Sequence, residues 1–312
     1  MEFKHIPVLF SETMQSLALS SQGVYVDGTL GGGGHSEGIL ERTAPDGIVI
    51  GIDQDDEALR AAGYRLEKYG KRFVSVKSNF ADIAEVLADL QIDSVDGVLL
   101  DIGVSSYQLD APERGFSYMN DGALDMRMDR LGDRTAADLL AELSEEELAN
   151  IIYKYGEERF SRRIARRIVE RRAQEPIVST LQLAEIVRSA IPADKRRRED
   201  QHPAKRTFQA LRIAVNDELG VLERGMEAAF KALKPGGRLS VITFHSLEDR
   251  IVKGYFASLA RGCTCPPEFP ICVCGNEPKA KLINRKPIVA SEAELSENPR
   301  ARSAKLRTVE KL

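Results

Sequence analysis

Val24-Tyr25-Val26-Asp27-Gly28-Thr29-Leu30-Gly31-Gly32-Gly33-Gly34-His35 decides how the rest of the 312-residue chain is read. A β-branched and aromatic run predicts a strand. The run stops at an acid, and four successive glycines lead into a helical pattern carrying Ile39 and Leu40. Glycines let a backbone approach a ligand closely, because no Cβ intervenes. Strand, glycine loop and helix in that order open a βαβ unit with a binding turn.

The alternation continues outward. Ile48–Ile52 predicts a second strand ending at Asp53, and Phe73–Val76 a third followed by Asn79-Phe80. Gly97–Leu100 predicts a fourth, ending at Asp101. Between them, Leu59, Ala62, Leu66 and Tyr69, then Ile83, Val86, Leu87 and Leu90, recur at helical spacing. Strands alternating with helices predict a parallel sheet.

From about Ala111 to Ala204 the strand signal fades and helical stripes take over. Ser144 and Glu147 form a capping box ahead of Leu148, Ile151, Ile152 and Tyr155. Phe160, Ile164 and Ile168 stripe the next helix, and Thr180 is placed to cap a third. One long helix is expected from Phe208 to Leu233, ended by Pro235-Gly236-Gly237. Strand character returns at Leu239–Phe244, a helix follows over Leu247–Leu259, and Lys305–Val309 reads as an edge strand. The simplest architecture is a doubly wound α/β domain, residues 1–110 and 205–312, with an all-helical domain, 111–204, inserted after its fourth strand.

Composition narrows the class. Apolar residues make up 43% and charged residues 29%, the balance of a soluble globular chain. No apolar run approaches the ~18 residues that span a membrane, and the N-terminus lacks a basic-then-apolar layout, so a cytoplasmic protein without a membrane partner is expected. Net charge is −4, yet Arg159–Arg206 holds 14 Lys/Arg against 6 Asp/Glu. That stretch reads as a docking surface for a polyanion or as ordinary solvated helix faces.

Asp53 lies 22 residues after Gly31, the separation of an acid that grips ribose hydroxyls. A dinucleotide calls for G-x-G-x-x-G, whereas Gly31 to Ser36 ends in Ser. Asp27 followed by Gly31 and Gly33 suits S-adenosylmethionine better, since an acid at the strand end faces its sulfonium and ammonium charges. Asn79-Phe80 offers a polar edge and an apolar wall for adenine. Two rivals stay open: a nicotinamide-dependent oxidoreductase, and an RNA-binding or ribosome-assembly factor that has the fold without the activity.

The motifs go further than the pattern. His5-x-Pro7-Val8-Leu9, Asp27–Gly31 with Gly33–Ser36, Leu100–Ser106 with Gln108-Leu109, Arg114–Ser117, Leu124–Met128, His202–Ala210, Phe244–Arg250 and Glu297–Ser303 together resemble the bacterial ribosomal RNA small subunit methyltransferase H family, also called MraW, over nearly the whole chain. The resemblance implies a class I S-adenosylmethionine-dependent methyltransferase, α/β with a Rossmann-like doubly wound sheet and the inserted helical domain as its RNA-recognition part. It implies methylation of the exocyclic N4 amine of a cytosine in the decoding region of 16S rRNA, in the small ribosomal subunit. It also implies that Gly33, Gly34, His35, Asp53, Phe80, Asp101 and Gln108 contact the cofactor, joining Asp27 and Gly31 from the residue pattern.

Asp101 and His245 are the acid–base candidates, each with a plainer alternative: Asp101 as a cofactor ligand, His245 as a structural residue at a strand end. Arg162, Arg163, Arg166, Arg167, Arg196, Arg197, Lys205 and Arg206 are the candidate phosphate contacts, with Phe116, Tyr118 and Phe208 as stacking platforms. Cys263, Cys265, Cys272 and Cys274 are all the cysteines of the chain. They can form a structural zinc site, a set of reduced thiols or a redox pair. A homodimer is compatible with the sequence and not decided by it.

Overall fold

The computed structural model describes residues 7–193 and 202–312, except 264, 266–268, 270 and 272. The chain forms two compact units, Met1–Gly103 with Leu219–Leu312, and Val104–Glu218.

The first unit is built on a seven-stranded sheet. Its strands are β1 (Val24–Asp27), β2 (Ile48–Asp53), β3 (Phe73–Lys77), β4 (Val95–Asp101), β5 (Leu233–Thr243), β6 (Ala280–Leu282) and β7 (Lys305–Lys311), in the order β3-β2-β1-β4-β5-β7-β6. β1 to β5 run parallel, and β7 lies antiparallel between β5 and β6. The order reverses at β1, which pairs with β2 on one side and β4 on the other. Such a switch point opens a crevice at the carboxyl ends of its strands.

Burial explains why these strands read as near-continuous apolar runs. Val26, Ile50, Ile52, Val98 and Leu100 point into one core with Leu222, Met226, Val252 and Phe256 from the helices Glu218–Ala232 and Ser246–Leu259. Their neighbours Tyr25, Val49 and Leu99 point into a second core with Met14, Ile39, Leu40, Ala62 and Leu66 from the helices Phe10–Ser16, Gly34–Arg42 and Asp56–Leu66. Alternate side chains thus serve opposite faces.

The second unit has a core of its own, in which Leu140, Leu148, Ile152, Ile164, Ile168, Leu183, Val187, Phe208 and Leu211 meet. It takes in flanks on both sides of 111–204. Reciprocal caps start three of its helices: Thr135 with Asp138, Ser144 with Glu147, and Ser179 with Gln182. Arg114 is 1% exposed and donates to the carbonyls of Arg127 and Met128 at 3.0 and 3.1 Å. Arg127 in turn grips Asp125 through Nε at 2.7 Å and Nη2 at 3.0 Å. The Arg114–Ser117 and Leu124–Met128 motifs therefore brace each other.

Four expectations change. The helix from Phe208 to Leu233 is two helices, Lys205–Asn216 and Glu218–Ala232, parted at Asp217 with φ 47°. Asp tolerates the left-handed region, and Asn216 holds the end by donating to the carbonyls of Arg212 and Met126, both at 2.8 Å. Pro235-Gly236-Gly237 lies inside β5 rather than ahead of it. Thr180 is the first helical residue, and Ser179 is the cap. Lys305–Val309 belongs to an interior strand, because the short β6 covers its outer edge. Among the described residues, no helix is long and apolar enough to cross a membrane.

Candidate active site

β1, β2 and β4 end side by side, each on a carboxylate: Asp27, Asp53 and Asp101. The glycine loop follows β1 and is shaped by them. Gly31 (φ 50°) donates its N–H to Asp53 Oδ2 at 2.8 Å, while the Asp55 amide donates to Asp53 Oδ1 at 2.9 Å. A Cβ added at Gly31 would meet nothing nearer than the Thr29 carbonyl at 3.9 Å, so the loop is open there. Gly33 (φ 74°) is required for another reason: its Cβ would come within 3.1 Å of Leu66 and 3.2 Å of Ala62. Gly34 starts the following helix against Pro7.

Asp27 is 1% exposed and accepts from Ser36 Oγ at 2.7 Å and the Thr29 amide at 3.3 Å. Burial pushes its carboxyl up to about 6, against those hydrogen bonds. Burial also raises Asp53. Asp101 is pushed up to about 8 by burial, then by the charges of Asp27 and Glu248. Its amide donates to Thr29 Oγ1 at 2.6 Å, but its side-chain Oδ1 is buried with no hydrogen-bond partner among the described residues.

His35 stands against Asp101. Its Nε2 lies 3.1 Å from the Val8 carbonyl, and a carbonyl only accepts, so Nε2 carries the proton. Nδ1 then faces Asp101 Oδ2 at 3.6 Å as a lone pair in the neutral ring. A protonated Asp101 suits that arrangement. Burial and mutual repulsion thus disfavour the charged form of these carboxyls, and a cation placed among them would favour it. The orphaned Oδ1 and the open glycine loop fit a cationic adenosyl ligand.

Phe80 begins a 3₁₀ turn after β3. Its ring packs where Gly225 has no side chain, since a Cβ there would come 2.3 Å from it. Asn79 is engaged locally: its Oδ1 accepts from Ala81 N–H and its Nδ2 donates to Gln54. His245 caps the helix Ser246–Leu259, with Nδ1 accepting from the Glu248 amide at 3.4 Å. The buried Glu248 accepts from the Phe244 and His245 amides at 2.7 and 3.1 Å. Glu248, Ser36 and Thr29 went unassigned from sequence. Only Glu248 carries a local signal, the His-x-x-Glu spacing of a capping box.

The remaining candidates lie elsewhere. Gln108 belongs to the helical unit, where its Oε1 accepts from the Ser105 amide at 3.0 Å. Arg162, Arg163, Arg166 and Arg167 line the exposed side of the helix Ser161–Arg172. Arg166 reaches Glu145 at 3.7 Å and Arg167 reaches Glu170 at 3.0 Å, whereas Arg162 and Arg163 have no ion pair among the described residues. Lys205 and Arg206 open the helix Lys205–Asn216. Phe116 and Phe208 are core residues, which removes them as platforms, while Tyr118 is half-buried and stacks on His202 at 4.7 Å. Cys263, Cys265 and Cys274 lie between the helix Ser246–Leu259 and β6. Arg196, Arg197 and Cys272 fall outside the described residues.

A sheet ordered 3-2-1-4-5-7-6 with β7 reversed, acids at the tips of β1, β2 and β4, and a glycine loop after β1 define a class I methyltransferase fold. The chain belongs to the MraW methylase family, whose sequence profile matches residues 2–312. A relative from Symbiobacterium thermophilum, named ribosomal RNA small subunit methyltransferase H, is 59% identical over 312 residues, covering 100% of this chain and 98% of its own. One of the same name from Carboxydothermus hydrogenoformans is 56% identical, covering 100% and 99%. Among solved structures, an rRNA methylase from Streptococcus thermophilus matches with TM-score 0.42 and 9% identity over 99% of each chain.

Proposed function

We propose that this chain transfers the methyl group of S-adenosylmethionine to the exocyclic N4 amine of a cytosine in the 16S rRNA of the small ribosomal subunit, working in the cytoplasm. The observation that carries the reading is the set of carboxyls Asp27, Asp53 and Asp101 at neighbouring strand tips around an open glycine loop, in a chain of the MraW methylase family. Gly31, Gly33, Gly34 and His35 form the cradle, Asp53 takes the ribose hydroxyls, and Phe80 walls the adenine. Gln108 keeps its cofactor assignment on resemblance alone.

When bound, S-adenosylmethionine supplies an electrophilic methyl carbon. The N4 lone pair would form the N–C bond as the S–C bond breaks, leaving a neutral thioether, and the methylated amine would then release one proton to water. That lone pair is delocalised into the ring, so the protein must hold the amine in line, about 3 Å from the methyl carbon. Asp101 is the acceptor that does so. A neighbouring cation lowers its pKa, so the carboxylate forms as the ligand arrives and its Oδ1 takes an amine N–H. His245 is committed through Nδ1 as the cap of the helix Ser246–Leu259, and this favours Asp101. In the helical unit, Arg162, Arg163, Arg166, Arg167, Lys205 and Arg206 hold phosphates.

Methyl-labelled S-adenosylmethionine is offered to the purified chain with bare 16S rRNA and with assembled small subunits, and the modified base is mapped. Label on the N4 of one cytosine is expected from at least one substrate. Label on another base or atom, or none from either, overturns the reading.

A further inference from the structure

Twenty residues, 260–279, separate the helix Ser246–Leu259 from β6. A loop longer than about 12–15 residues without its own secondary structure is uncommon in a compact unit unless something holds it. Its ends are tied: Lys279 N–H donates to the Leu259 carbonyl at 2.8 Å, and Asn276 Nδ2 donates to the carbonyls of Arg261 and Gly262 at 3.0 and 2.7 Å. Among the described residues its middle has no apolar core, since Phe269, Ile271 and Val273 are 52%, 74% and 74% exposed.

Sulfur takes the place of a core. The Sγ atoms of Cys263, Cys265 and Cys274 all lie within 4.8 Å of one another. Cys274 and Cys263 are 3.7 Å apart, far beyond a disulfide bond of about 2.05 Å. Two thiolates on one tetrahedral zinc, each at about 2.3 Å, stand about 3.8 Å apart. Backbone amides also point at the sulfurs: Cys265 N–H at Cys263 (3.4 Å), Val273 N–H at Cys265 (3.3 Å) and Asn276 N–H at Cys274 (3.5 Å). N–H donors to sulfur are the outer partners that a metal-bound sulfur takes.

We propose that Cys263, Cys265 and Cys274 bind one zinc ion that closes this loop. In sequence, Cys272 repeats before Cys274 the Cys-x-Cys spacing of Cys263 and Cys265. The ion acts as a staple, standing in for the core the loop lacks and anchoring β6, the edge strand beside β7. Along the sheet, β7 and β5 separate β6 from β4 and its Asp101, so the ion has no part in methyl transfer.

The full chain is purified under reducing conditions without chelator or added zinc, and its metal content is measured. About one zinc per chain is expected, together with a sulfur-to-cobalt charge-transfer band when cobalt replaces it. A C263S/C274S double variant should lose both signals, expose 260–279 to proteolysis, and bind S-adenosylmethionine within about twofold of the parent. Cys265→Ser should weaken zinc retention by roughly 10-fold or more, as loss of one thiolate ligand does. Below about 0.1 zinc per chain with no cobalt band would overturn the proposal, as would a disulfide within the cluster or thiols alkylated at one rate with and without zinc.

Discussion

Asp101→Asn removes one ionisable group from the carboxyl cluster while keeping its shape. The folded carboxyl titrates at about 8 against an ordinary 3.8. Between those values the folded chain holds a proton that the unfolded chain has released, so this group's contribution falls as pH rises through the window. At 1.36 kcal/mol per pKa unit, the ceiling at pH 7 is about 4 kcal/mol. The side chain keeps 23% exposure, and water screens part of that cost. A loss of about 1–3 kcal/mol for the parent relative to the variant, between pH 5 and pH 8, is the expected size. Urea denaturation of both proteins without cofactor at pH 5, 6, 7 and 8 measures it. The variant should be the more stable at pH 8, and the gap should close toward pH 5. Parallel curves would refute the reasoning, because they would mean that Asp101 ionises in the folded chain as readily as in the unfolded one. Kinetics on the same variant separate its two roles. An amine acceptor loses about 10²–10⁴-fold in kcat with cofactor affinity changed less than tenfold, whereas a cofactor ligand loses affinity first.

Asp53→Ala should weaken S-adenosylmethionine binding by about 1–3 kcal/mol through lost ribose hydrogen bonds, and unchanged affinity by calorimetry would remove that assignment. Changing Arg162, Arg163, Arg166 and Arg167 together to Gln should spare cofactor binding but weaken RNA binding. It should also flatten the plot of log affinity against log salt by about 0.7 for each phosphate no longer neutralised, and an unaltered slope would exclude this helix from the RNA surface. Gly33→Ala, at φ 74° and crowded by Leu66 and Ala62, should cost about 1–2 kcal/mol in denaturation. A variant as stable as the parent would contradict the loop conformation.

Local pattern was enough for much of the sheet. Val24–Asp27 and Ile48–Asp53 are short apolar runs ending at an acid, and a strand buried on both faces announces itself that way. The cap at Ser144 and Glu147 was legible for the same reason, since its partners are three residues apart. The break at Asp217 was not. Phe208, Leu211, Val215, Leu219, Leu222 and Met226 keep helical spacing straight through it, and periodicity cannot register one residue with positive φ. The place of Lys305–Lys311 was equally hidden, because an interior strand differs from an edge strand only in what pairs beside it.

By itself, then, the chain's order of residues determined the strand–loop–helix rhythm, the acids at the strand tips, the glycines between them and, through its motifs, the family. Only the tertiary structure decided what those acids are. Asp101 is a shifted carboxyl because β4 pairs with β1 on one side and β5 on the other, which brings Thr29 to its amide and Asp27 and Glu248 near its side chain across long stretches of chain. Spacing along a sequence encodes which atoms are local neighbours. Burial and charge coupling arise from neighbours that only folding brings together, and they set the raised pKa of Asp101.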